Sequence, residues 1–158
     1  MNTNIKAFMK QELKERGTME FDGIDKFVDE KGKPIPFIIR RMSQRELTEI
    51  RDMYRTTSVF RDKKNNGRPV IGNNGQVAVI KDYDAARAGA HIMVDAFVQP
   101  KLDDPDLMEF YGINDRLDMP QVIFADMKDY EYANKCLMQA LGLDEGEDEK
   151  EVIEELKN

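Results

Sequence analysis

The run from Pro120 to Gly142 constrains the fold of this chain more than any other segment. Ile123, Met127, Tyr130, Ala133, Leu137, Ala140 and Leu141 recur at three- and four-residue intervals, which places them on one face of an α-helix, and Gly142 follows as a stop signal. A helix with one apolar face is only marginally stable in water by itself, so it needs a body to cover that face. The spacing predicts a helix from about Pro120 to Leu141 laid against a core.

Four further helices follow from the same logic. Ser43 followed by Glu46 is a capping box, in which the hydroxyl accepts from the Glu46 amide and the carboxylate reaches back to the Ser43 amide. Leu47, Ile50 and Tyr54 then form an inward stripe, with Arg45, Arg51 and Arg55 around the rest of the cylinder. Tyr83, Ala86, Ala90, Met93, Val94 and Phe97 predict a helix from about Asp82 to Val98, ended by Pro100. In "DDPDLMEFYGI", Asp104 is an N-cap, Pro105 suits the first helical position and Gly112 is the stop. Ile5, Phe8, Met9 and Leu13 mark a short amphipathic helix before Gly17.

Extended structure is expected in two places. "EFDGIDKFVDEKGKPIPFIIRRM" reads as two extended runs around "DEKGKP", where Gly32 tolerates positive φ and the prolines disfavour helix, hence a β-hairpin. Between Asp62 and Ile80, two Asn-Gly pairs precede the β-prone run "VAVI", which fits either a mobile loop or a small hairpin. The expected fold class is therefore mainly α (α+β): a compact helical domain over residues 1–143 with a small N-terminal β-hairpin, followed by an acidic, flexible tail over residues 144–158.

A chain of 158 residues suits one core, and 41% hydrophobic with 35% charged residues is too apolar for disorder and too interrupted for a membrane span. The start, "MNTNIKAFMKQELKERG", lacks the pattern of a secretory leader, so the expected location is the cytoplasm. The net charge of −7 is uneven: residues 144–158 carry eight acids against two lysines, a net −6. Phe37 to Arg68 instead carries nine Lys/Arg against four Asp/Glu, a net +5.

Reactive constellations are sparse. His91 lies beside an apolar stripe with Asp84 and Asp95 in neighbouring turns, and reads as a boundary histidine before it reads as a base or ligand. The single cysteine, Cys136, has no second thiol for a disulfide, and its one candidate base is His91. The stretch from Asp144 to Glu155 superficially resembles a calcium loop, but Gly146 and Glu149 stand where an oxygen ligand and the turn glycine belong. "IGNNGQV" lacks the residues of a phosphate loop. No catalytic residue, metal or cofactor is assigned. The basic section lacks interleaved exposed aromatics and the pI is about 4.9, which weighs against nucleic acid. Ten methionines suit either an adaptable partner surface or gap-filling in the core.

Four segments carry a resemblance: "IKAFMKQ", "KFVDEKGKPIPFIIRRMSQRELTEIR", "DYDAARAGAHIMVDAFVQPKLDDPDLMEFYGI" and "MPQVIFADMKDYEYANKCLMQALGLDE". Together they resemble the XkdN-like tail assembly chaperones of phages and defective prophages of Gram-positive bacteria, across most of Ile5 to Glu145; residues 62–80 match poorly. The resemblance implies a non-enzymatic protein of the host bacterial cytoplasm. Such a protein binds the long, helical tape measure protein, keeps it soluble, helps recruit tail tube protein and is absent from the finished tail. Self-association is a further expectation. Two sets of partner contacts are expected. Arg40 and Arg41 would face an acidic partner or the acidic tail of another copy. Met93, Phe97, Phe110, Tyr111, Met138 and Leu141 would form an apolar face, unless they are core. The rival readings are a small helical adaptor or regulatory protein, DNA-binding through Arg40 to Arg68, and a minor structural component of the virion.

Overall fold

The computed structural model describes residues 3–11 and 16–143. Leu13 of the N-terminal stripe and the whole acidic tail, with its calcium-like spacing, lie outside them.

Local signals place most helices where the sequence puts them. Helix α1 (Gln44–Met53) starts at the capping box: Ser43 Oγ accepts from the Glu46 amide at 3.1 Å and Glu46 Oε1 accepts from the Ser43 amide at 3.4 Å. Its stripe, Leu47 and Ile50, is buried. Helix α2 (Ala85–Ala96) starts where Asp84 accepts from the Arg87 amide, and buries Ala88, His91, Ile92, Met93, Val94 and Ala96. That coverage on several sides marks it as the central helix, with small residues at Ala88 and Ala90 allowing close approach. Helix α3 (Pro105–Tyr111) is capped by Asp104, which accepts from the Asp106 and Leu107 amides, and closes at Gly112 with φ 68°.

Two boundaries differ from expectation, both for tertiary reasons. The helix expected from Asp82 to Val98 begins later and ends earlier, because Val79–Tyr83 and Phe97–Gln99 are strands. The helix expected from Pro120 is broken into α4 (Met119–Ile123) and α5 (Met127–Ala140). The break lets Ile123 and Phe124 both enter the core, where Phe124 is within edge-on range of Phe37 at 5.7 Å. Lys26 then pairs with Asp126 and Asp129 at the restart, acids that favour a helix N-terminus.

The expected hairpin is present and larger. Strands β1 (Thr18–Phe21) and β2 (Phe37–Arg40) pair antiparallel, Thr18 opposite Arg40 and Phe21 opposite Phe37. An inner bridge joins Val28 and Pro34 around Gly32, which has φ 79°. Phe37 and Ile39 alternate inward and are buried, while Ile38 and Arg40 are half-buried on the other face. Strand β7 (Phe97–Gln99) completes the sheet on the far edge of β2, giving the order β1-β2-β7. Helix α5 packs across β1 and β2, and the Tyr132 hydroxyl donates to the Asp22 carbonyl at 2.7 Å. Phe37, Phe97 and Phe124 meet with centroids 5.6 to 5.9 Å apart and form the aromatic centre of the core.

The stretch between α1 and α2 overturns the expectation of a mainly α helical domain with one small hairpin. Of the described residues about 44% are helical and 21% are strand, in three sheets, which makes this a mixed α+β fold. Strand β3 (Arg55–Val59) pairs with β6 (Val79–Tyr83), β4 (Arg61–Asp62) pairs with β5 (Arg68–Pro69), and Ile71 bridges Val77. The three ribbons meet at a closed ring of backbone hydrogen bonds. The Phe60 amide donates to the Ala78 carbonyl, the Ala78 amide to the Val70 carbonyl and the Val70 amide to the Phe60 carbonyl, at 2.7 to 2.9 Å. Thr56, Thr57 and Val59 supply β-branched side chains, and turns at Gly67 (φ 73°) and Gly75 (φ 76°) close two of the ribbons.

Candidate partner-binding surface

His91 and Cys136 are the residues with intrinsic reactivity, and the structure uses both as packing elements. His91 is 8% exposed. Its Nδ1 lies 2.7 Å from the Tyr54 hydroxyl, while Nε2 lies 3.2 Å from both Asp95 Oδ2 and an Arg116 guanidinium nitrogen. Arg116 also donates to Asp95 Oδ1 at 3.0 Å, and Arg87 pairs with Asp115 at 2.9 Å. The Leu117 amide and the Arg87 guanidinium hold the Asp115 carboxyl below its usual range. The network ties the end of α1 and the 3-10 helix Arg116–Asp118 to the central helix. Cys136 is buried, and burial pushes its thiol pKa up, away from thiolate character. Burial and the neighbouring thiol push Tyr132 up to about 12. Among the described residues no group of three or more His, Cys, Asp or Glu is placed to hold a metal ion.

The expected contact residues are dispersed. Met93 and Phe97 are 1% and 3% exposed and belong to the core, where a partner does not reach them without opening the fold. Met138 and Leu141 are half-buried on α5 and at its end. Arg40 lies on β2 with its guanidinium 2.8 Å from Glu46 Oε2, and that hydrogen bond is the chief cause of a lowered Glu46 pKa. Arg41 is exposed at the end of the same strand. Phe110 is 80% exposed and meets Tyr111 edge-on at 5.0 Å.

Tyr111 leads into an apolar cleft that no sequence pattern marks. Phe27 and Ile35 from the hairpin, Pro100 after β7, Leu107 and Tyr111 from α3, and Ile123 line a cavity of about 210 Å³. The hairpin side is held by a close backbone approach: a Cβ on Gly23 would sit 1.9 Å from the Ile35 carbonyl oxygen, so this position requires glycine. The Ile35 amide donates to the Phe27 carbonyl at 2.8 Å and fixes the wall. The cleft has the shape and polarity to accept an apolar side chain, and the exposed Phe110 packs edge-on against its lining residue Tyr111.

The second exposed surface is the β arm, Arg55 to Tyr83, in which no residue is buried. Val59, Phe60, Ile71, Val77, Val79 and Ile80 are exposed there, Phe60 at 47% and Ile71 at 67%. Six cations against two acids give the arm a net +4. The β-branched run "RTTSVF" facing "VAVI" was the available signal, but it identifies a ribbon only once the two runs are known to pair.

Comparison with known proteins extends these observations. The family described as phage XkdN-like tail assembly chaperone protein matches residues 5–157. The phage-like element PBSX protein XkdN of Bacillus subtilis (strain 168) is 28% identical over 130 residues, 82% of this chain and 76% of that protein. The uncharacterized protein YqbN of the same strain is 24% identical over 152 residues, 96% of this chain and 91% of that one. The crystal structure of YqbN aligns with a TM-score of 0.58 at 17% identity, over 80% of this chain and 87% of that chain, which shows a shared fold.

Proposed function

This chain belongs to the family of XkdN-like phage tail assembly chaperones, and we propose that its client is the tape measure protein, which it binds and keeps soluble while tail tube protein assembles around it. The reading places it in the host bacterial cytoplasm, without a catalytic step, and outside the finished tail. The observation that carries it is the family match over nearly the whole chain. The apolar cleft supports it in chemical terms. A long helical client presents apolar residues at helical spacing, and a 210 Å³ apolar cavity accepts one such anchor while the exposed Phe110, edge-on to the lining Tyr111, offers a contact for a neighbouring turn. Among the described residues no helix is long and apolar enough to cross a membrane.

Arg41 is the cleaner of the two arginines for testing an acidic contact, because Arg40 already serves Glu46 and its reversal would strain the helix cap. The experiment is co-expression with the tape measure protein encoded in the same phage element, followed by pull-down and a solubility assay at low and high salt. A complex that keeps the tape measure soluble supports the reading, and loss of it in Phe110→Ser places the contact at the cleft. An insoluble tape measure and no complex would overturn it.

A further inference from the structure

We propose that the β arm is covered by the chain's own acidic C-terminal segment, residues 144–158, seated on the cationic hollow at the arm's tip.

The arm is a solvated ribbon on which unpartnered apolar side chains stand among cations. Two-stranded ribbons are marginal in water, and exposed apolar patches of this kind mark interaction surfaces. Its tip contains an open hollow of about 610 Å³ whose lining sets the cations Lys64 and Arg68 against one acid, Asp62, beside Asn65, Val70 and Ile71. Among the described residues, Lys63, Lys64, Arg68 and Lys81 pair with no carboxylate, whereas several cations of the body do: Lys26 with Asp126 and Asp129, Arg87 with Asp115, Arg116 with Asp95. An occupant that fits this surface is acidic with a few apolar residues.

The segment 144–158 has that composition. Eight acids against two lysines give it −6, opposite the arm's +4, and Val152, Ile153 and Leu156 interrupt the acids as Val70 and Ile71 interrupt the cations. It leaves the body after Leu143 and, extended, reaches roughly 50 Å. A body of this size has a radius of gyration of roughly 14 Å, so the arm is within reach of the segment of the same molecule. Tethering makes the encounter intramolecular, which favours it over the same contact between copies at ordinary concentration. The docked segment shields the apolar ribbon from other chains, and an acidic partner displaces it by competing for Lys64 and Arg68.

The test is zero-length carbodiimide cross-linking of the full chain, mixed from unlabelled and 15N-labelled protein, with the links mapped by mass spectrometry. The expected result is links within single molecules from carboxylates of 144–158 to Lys63, Lys64 or Lys81. Their yield should fall at least fivefold in Arg61→Glu/Arg68→Glu, which keeps all the reactive lysines. Raised salt on the unmodified chain should produce the same loss and needs no variant to fold. Links chiefly between labelled and unlabelled molecules would overturn the proposal. So would links to Lys26 or Lys101 on the body, links confined to Lys150 and Lys157, or a yield indifferent to both salt and the double substitution. None of these readings depends on a client being present.

Discussion

The Tyr54 hydroxyl lies 2.7 Å from Nδ1 of His91, joining the residue that ends α1 to the middle of the central helix, 37 positions along the chain. The rings also meet edge-on at 5.6 Å. Because His91 is buried, removing the hydroxyl leaves a ring nitrogen without its partner. Tyr54→Phe should therefore cost about 1–3 kcal/mol, read as a lower urea midpoint with an unchanged slope.

Glu46 couples the cap of α1 to the end of β2. Its folded pKa is lowered, first by the Arg40 hydrogen bond and then by the Ser43 amide. A depressed carboxylate contributes stability that is present above the unfolded glutamate value of 4.5 and is lost as pH falls through the lower folded value. The stability difference between the native chain and Arg40→Gln should accordingly be largest near neutral pH and shrink on acidification. Urea midpoints through the carboxylate range measure it, and a difference that grows toward acid would contradict the assignment. Ser43→Ala should cost about 1 kcal/mol.

Gly23→Ala tests the wall of the cleft. The added methyl meets the Ile35 carbonyl oxygen at 1.9 Å, which backbone must relieve. The expected cost is about 1–3 kcal/mol, from overpacking. Hydrogen exchange should localise the loosening to the Phe27–Ile35 hairpin, and uniform loosening would indicate a different cause.

Phe110→Ser and Met93→Ala should separate surface from core. Phe110 is exposed, so its replacement should alter stability by no more than about 0.5 kcal/mol while weakening tape measure co-purification. Met93 is fully buried on α2, and truncation should cost about 2–5 kcal/mol. Thermal melts run beside pull-downs distinguish the two, and equal melting losses would place Phe110 in the core after all.

Cys136 should react with a thiol reagent slowly in the native chain and promptly in denaturant. Burial both blocks access and raises the thiol pKa, so the thiolate is scarce. Fast native reaction would mean that α5 opens readily from β1 and β2.

What the sequence determined by itself is local: the cap at Ser43 and Glu46, the Asp104-to-Gly112 helix, the stripe of α1, the first hairpin and its turn at Gly32, and the family resemblance, which rests on the order and spacing of those segments. Each is written within a few residues, because caps, turns and helical stripes are made by neighbours in the chain. Tertiary structure decided the rest. Phe97–Gln99 is a strand because β2 offers an open edge; the helix breaks before Met127 because Phe124 has a place against Phe37; and "RTTSVF" is half of a ribbon because "VAVI", some twenty positions away, comes back to it. The cleft is likewise assembled from the hairpin, the turn after β7, α3 and α4, and Met93 and Phe97 are core because the sheet and α5 close over them. Pairing and burial depend on which distant segment arrives to supply hydrogen bonds and cover, and hydrophobic spacing along one element does not say whether its face meets the core or a partner.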